Sequence, residues 1–183
     1  MDRELVIAAQ RGDQVAFVDL LRDRVDRLFA MARRILHEVD RAEDALQDAL
    51  VTAWRDLPSL RDPDRFDFWI QRLLANMCID HARRNRRRYA QLQVLTVDGH
   101  SAPDELGRVV DRDTVDRAFR RLTPEERTVL VLRYYLGYEP STIAEVLGVP
   151  GGTIRARLHH AHRAMRAAIE ADARAASVEG SSV

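Results

Sequence analysis

From Gly151 to Ala168 the chain carries four arginines, three histidines and no acid. Guanidinium forks at helical spacing hold phosphates and read guanine edges, so the chemistry on offer is nucleic-acid binding rather than bond-making. Pro150 is pre-set for a first helical turn, and Gly151 and Gly152 remove side chains where a backbone could approach a phosphate. Thr153, Arg155, Arg157, His159 and His160 fall on the exposed side of the predicted helix, with Ile154 and Leu158 inward. Arg155 is the candidate for a guanine edge, and Thr153 and Arg157 for phosphates. His159 and His162, at i and i+3 without a neighbouring carboxylate or thiolate, make a poor metal site; neither metal nor cofactor is expected.

Two further clusters stand out against a formal net charge of zero. Glu38 to Asp48 holds five acids and one arginine, whereas His81 to Arg88 holds five arginines and no acid. Opposite surfaces on one small domain imply two different partners, one basic and one polyanionic. All 29 basic residues are arginine, a bias that GC-rich coding explains as well as function does.

The elements that must position these groups are helical. Glycine (8) and proline (6) are scarce in 183 residues, and aromatics make up only 6%, which predicts an all-α protein of two small helical domains. A short helix is expected at about Arg3–Gln10. One long helix is then predicted through Phe17, Leu20, Leu21, Val25, Leu28, Phe29, Ala32, Ile35 and Leu36. Ala42, Ala45, Leu46, Ala49, Leu50, Ala53, Trp54 and Leu57 keep a 3-1-3-1 rhythm, with Asp40 and Glu43 in N-cap and N3 positions of a capping box. "LPSLRDPDR" reads as a loop, and Phe66 through His81 line a further helix running out into arginines. The rhythm fades from Tyr89 to Asp113, an acidic stretch with Gly and Pro that reads as a flexible linker. The organisation expected is 1–88, linker 89–113, 114–170 and a tail 171–183.

The second block opens with a complete start signal: Thr123 at N-cap, Pro124 at N1 and Glu126 at N3. Pro140 takes N1 of the next helix, Ala144 is small enough for a close crossing, and Gly148 supplies a left-handed turn. Val149, Ile154 and Leu158 lock the following helix in place. That grammar is a helix-turn-helix, whose second helix enters the major groove.

"DRAEDALQDALVTAWRDL", "RFDFWIQRLLANMCIDHARRNRRR" and "LTPEERTVLVLRYYLGYEPSTIAEVLGVPGGTIRARLHHAHRAMR" together resemble the two domains of the extracytoplasmic-function (ECF) bacterial sigma factors, over about residues 3 to 168. The resemblance implies that Asp40, Asp44 and Gln47, with Leu46 and Trp54 packing nearby, dock on the β′ clamp coiled coil of core RNA polymerase, which also offers its β subunit. It implies −10 promoter contacts from the loop Leu57 to Asp64, including Arg61 and Asp62, and from Arg65, Arg72, Asn76, Arg83 and Arg84. The loop would trap a flipped base. It assigns Thr153, Arg155, Ala156, Arg157, His159 and His160 to the −35 element. Ala156 stands where the family often has Ser, and His160 and His162 where Arg is common, which bears on base preference and pH response. Anti-sigma proteins are common partners in such a family, though no residue here demonstrates one. For Phe66 and Trp69, helical spacing favours a core role over base stacking.

The alternatives are weaker. A dimeric helix-turn-helix regulator would need a self-complementary apolar helix, which the sequence lacks, and would leave the first domain unexplained. An enzyme would need a constellation such as H-E-x-x-H or a Gly-rich phosphate loop, and none occurs. A single cysteine, Cys78, precludes an internal disulfide. With neither a signal peptide nor an apolar run of membrane-spanning length, the expected location is cytoplasmic, with the nucleoid.

Overall fold

A computed structural model describes the backbone of residues 2–93 and 110–179, with side chains characterised at 2–84 and 114–174. The described residues form nine α-helices and no strand. The first four are α1 (Asp2–Gln10), α2 (Gln14–Arg22), α3 (Val25–Leu36) and α4 (Val39–Asp56). After two short 3₁₀ turns come α5 (Phe66–Gln93), α6 (Val110–Arg120), α7 (Pro124–Leu130), α8 (Pro140–Leu147) and α9 (Gly151–Glu179).

The long helix expected through Phe17–Leu36 is two helices. The break falls at Asp23 and Arg24, where the Arg24 backbone N–H bonds Leu21 O at 2.9 Å. Its guanidinium donates to Leu20 O at 2.7 Å, to Asp2 at 2.7 Å and to Asp67 at 2.5 Å. The apolar phase continues across the break, so periodicity does not reveal it; a tertiary arginine hub does. The start of α4 also differs from expectation. His37 closes α3 in the left-handed region at φ 62° and Glu38 is the extended N-cap, without a side-chain cap. Asp40 therefore sits one residue inside the helix. There its charge favours the positive end of the helix dipole without serving as a cap.

In the second block Thr123 and Glu126 form the expected capping box, the Glu126 N–H meeting Thr123 Oγ1 at 3.2 Å and the Thr123 N–H meeting Glu126 Oε2 at 2.9 Å. A π-helical turn over Val131–Tyr135 follows α7 directly, with Leu136 N–H reaching back five residues to Val131 O at 3.2 Å. The sequence reading marks the start of this segment but not the widened turn. A run of β-branched residues, Thr128, Val129 and Val131, lowers the local helical preference.

The linker expected over 89–113 is helical at both described margins, since α5 reaches Gln93 and α6 opens at Val110; residues 94–109 lie outside the described part. At the other end, α9 continues to Glu179 through most of the predicted tail. Asp172 anchors it by ion pairs at 3.1 Å to Arg117 of α6 and to Arg121 just beyond that helix.

The largest departure is the relation between the two blocks. They were expected as separately tethered modules, yet one continuous apolar core joins Val6, Leu20, Met31, Ile35, Ile70 and Leu74 to Val129, Leu132, Ile143, Val146 and Ile154. Helices α3 and α5 of the first block pack on α7 of the second, and α5 packs on α8 as well.

Candidate nucleic-acid interface

The acidic face lies on α4. Ala42, Ala45, Leu46, Ala49 and Ala53 are buried, and their small side chains allow α3 and α5 to approach closely while the opposite face stays in water. Asp40, Glu43, Asp44 and Gln47 are exposed, and none of them makes a recorded ion pair or hydrogen bond among the described residues. Val39 and Val51 add exposed apolar surface, at 50% and 63%. Leu46, by contrast, is 9% exposed and supports this face from beneath. Trp54 is half-buried against Phe17, with ring centroids 5.1 Å apart.

The loop between α4 and α5 is built rather than slack. Leu57 is fully buried, and Gln10 of α1 donates its amide to Leu57 O at 3.1 Å and Leu60 O at 2.7 Å. Asp62 accepts from Asp64 N–H at 3.1 Å, so its carboxylate shapes the turn that starts α5. Arg61 remains exposed beside it. Gln10 was not singled out from the sequence; its polar position near the end of a short helix gives no local signal.

Along α5, Phe66 is core at 3% exposure and Trp69 packs against the same core, as the spacing implied. The polar groups meet two different surroundings. Asn76 and Arg84 are exposed. Arg65 lies over the Phe68 ring at 4.5 Å and pairs with Glu145 of α8 at 2.6 Å; that hydrogen bond raises its already high pKa. Arg83 pairs with Glu125 of α7 at 2.9 Å. The Arg72 guanidinium lies 4.0 Å from where a Cβ on Gly148 would sit. Gln71, buried at 8%, accepts a hydrogen bond from the Tyr138 hydroxyl. Sequence reasoning missed Gln71, Glu125, Tyr138 and Glu145, because each acquires its role only through contact between the blocks.

In the helix-turn-helix, Gly148 adopts φ 63° and caps α8, its N–H meeting Glu145 O at 3.4 Å. Ile143, Val146 and Ile154 are fully buried and fix the angle between α8 and α9. Arg155, Ala156, His159 and His160 are exposed, and Thr153 and Arg157 are half-exposed. His162 is engaged elsewhere, its Nε2 lying 2.8 Å from the Tyr134 hydroxyl. The described residues contain no cluster suited to a metal ion and no helix long and apolar enough to cross a membrane.

Known proteins share this arrangement. The family described as Sigma-70 region 2 matches residues 20–88, and Sigma-70, region 4 matches residues 112–165. The chain is 33% identical over 156 residues to the ECF RNA polymerase sigma factor SigM of Mycobacterium tuberculosis (strain ATCC 25618 / H37Rv), covering 85% of this chain and 78% of that one. It is 28% identical over 178 residues to SigW of Bacillus subtilis (strain 168), covering 91% and 95%. Among solved structures, CnrH in complex with the cytosolic domain of CnrY is 28% identical and superposes with a TM-score of 0.63, covering 93% of this chain and 98% of that one. The sigma factor RpoE of Bartonella quintana, solved with the anti-sigma factor NepR, has a TM-score of 0.65 at 22% identity, covering 85% and 98%, a likeness of fold.

Proposed function

This chain belongs to the ECF RNA polymerase sigma factors, and from that premise we propose how its surfaces divide the work of promoter recognition. Such proteins are DNA-recognition subunits of RNA polymerase with no catalysis of their own. Residues 1–88 form the unit that grips polymerase and the −10 element, and 114–170 the unit that reads −35. On α4, Asp40, Asp44 and Gln47 meet the basic surface of the β′ clamp coiled coil, with Trp54 and the exposed valines as the apolar centre inside a charged rim. Leu46 acts by holding that face in shape.

Arg61, Arg65, Arg72, Asn76, Arg83 and Arg84 follow the opened −10 strand, and the loop pinned by Gln10 receives the flipped base. Asp62 orders that loop. In the second unit Arg155 reads a base edge, Thr153 and Arg157 hold phosphates, and Ala156, His159 and His160 complete the −35 surface. An anti-sigma protein is a further partner in this reading; the capture of the relative CnrH with a second protein supports it. Work at promoters places the chain with the nucleoid.

The observation that carries the reading is the joint presence, on one chain, of an exposed acidic face on α4 and a glycine-turned basic helix. The test is run-off transcription by core polymerase with and without the protein, alongside a pull-down of core. Asp40→Asn with Asp44→Asn should weaken core association about tenfold, as expected for rim charges, and Arg72→Ala should cut run-off from core-bound protein. Unchanged core association in the first variant, or operator binding that needs a palindrome and no polymerase, would overturn it.

A further inference from the structure

The arginines assigned to the −10 strand are not equally available. Arg65 is held by Glu145 at 2.6 Å and Arg83 by Glu125 at 2.9 Å, two carboxylates that belong to the other DNA-reading unit. Between them, Tyr138 donates to Gln71 of α5, and its ring lies 6.2 Å from Phe68. Arg72 faces the Gly148 turn. The partner residues come from α7, α8 and the turn between them, so one surface of the second block covers one face of α5. A carboxylate set against an exposed guanidinium presents the same charge and acceptor geometry as a backbone phosphate.

We propose that in the free chain the second block closes on α5 as an internal phosphate mimic, with Glu125 and Glu145 occupying Arg83 and Arg65 and so keeping single-stranded DNA off until the two blocks separate. This rests on the assignment of α5 to the −10 strand and goes beyond it.

The ionic rim of the seam suits reversible closure, while the apolar core beneath it, where Leu132 and Ile143 meet the first block, sets the cost of opening. Its ion pairs are solvent-exposed, a kind that contributes little to stability and is readily exchanged for others. Among the described residues two buried polar atoms, His37 Nε2 and Arg127 Nε, have no hydrogen-bond partner, and both lie where α3 meets α6 and α7. An unpaired buried donor or acceptor costs free energy that opening to water returns.

The proposal is tested on the full-length protein. Dyes attached through cysteines introduced at Val18 and Arg166, both exposed, report the distance between the blocks by energy transfer; native Cys78 is fully buried and stays unlabelled. Glu125→Gln with Glu145→Gln should lower transfer efficiency and raise retention of a mixed-sequence single-stranded deoxyoligonucleotide at least about fivefold at low salt. Glu4→Gln with Glu170→Gln removes the same charge from outside the seam and should change neither reading. Tyr138→Phe, which keeps the ring and removes the hydroxyl, should open the seam without any change of charge.

Unchanged transfer in both seam variants would overturn the closure. Lower transfer with unchanged oligonucleotide retention would overturn the masking, as would equal gains in the charge control. Failure of the α5 assignment itself is read separately, from run-off by Arg72→Ala with core polymerase already bound.

Discussion

The two surfaces assigned to DNA are presented in opposite ways. On α9, Arg155, Ala156, His159 and His160 stand in solvent, with no ion pair recorded among the described residues. On α5, Arg65 and Arg83 are each taken by a carboxylate from the other block, and Gln71 is buried under Tyr138. The contrast follows from geometry. A helix-turn-helix needs only its reading helix free, so the rest of that block can pack on something. The face of α5 proposed to bind the opened strand carries Arg65, Arg72 and Arg83, and a neighbour with well-placed acids covers part of it. On this proposal one chain offers its duplex reader while part of its single-strand reader is covered. The acidic face of α4 is exposed in the same structure, so the proposed polymerase contact is available while α5 is covered.

The contrast between α5 and α9 requires that the two blocks share a core. Leu132, on the π-helical turn, is fully buried in the cluster that also contains Met31 and Ile70. Leu132→Ala should therefore destabilise the protein by about 2–5 kcal/mol, the usual range for a buried leucine. Because the core is continuous, fluorescence of Trp54 and Trp69 in the first block should report the same lowered denaturation midpoint as total helicity. An earlier transition in helicity alone would mean two independent cores. Arg155→Ala addresses the open surface. It should cost about 1–3 kcal/mol of discrimination at one base pair of the −35 site, while binding to unrelated duplex falls only slightly. Competition binding by holoenzyme on single-base variants measures it, and a loss spread evenly over all sequences would reassign Arg155 to phosphate.

Local signals carried much of the fold. The Thr123–Pro124–Glu126 start, the Gly148 turn and the rhythm of α4 are each dictated by neighbours three or four residues away, and the structure places them where the sequence did. What was not legible depends on partners far along the chain. The break between α2 and α3 is imposed by Arg24 reaching Asp67, 43 positions away. The seam joins Gln71 to Tyr138 across 67 positions and Arg65 to Glu145 across 80. No periodicity encodes such a pairing, because each member also reads as a solvated surface residue. The expected cap at Asp40 failed for a related reason: His37 takes the left-handed turn usually left to glycine or asparagine, and this moves the helix start forward.

Thr123 sharpens the comparison at a smaller scale. Thr123→Ala removes the hydroxyl that accepts the Glu126 N–H and frees Glu126 Oε2 from its bond to the Thr123 side chain. A loss of about 1–2 kcal/mol is expected for such a cap, visible as a lower thermal midpoint. Glu125 lies in the same first turn of α7 and carries the ion pair to Arg83. Fraying there should also loosen the cover over α5, so single-strand binding should rise while −35 duplex binding does not. A uniform rise in both would mean that the two surfaces are not separately controlled.

The smallest effect expected concerns His37, at the edge of the seam. Its ring meets Phe119 of α6 edge-on at 5.3 Å, and burial, reinforced by the Arg127 charge, lowers its pKa to about 4. Asp116 of α6 opposes that shift, and Arg120 adds to it. In the open chain the imidazole returns toward its ordinary value near 6.5, so the open form binds the proton more tightly. Closure therefore keeps its full contribution from neutral His37 above about pH 6.5. That contribution falls as pH drops and levels off below about 4. Discounted for the part-exposed ring and for salt, the closed-to-open ratio should fall about fivefold between pH 7 and pH 5. Energy transfer between the blocks measures this directly. His37→Asn, which tolerates the left-handed backbone and cannot take up the proton, should flatten that part of the profile. A slope that persists in His37→Asn would overturn His37 as its source.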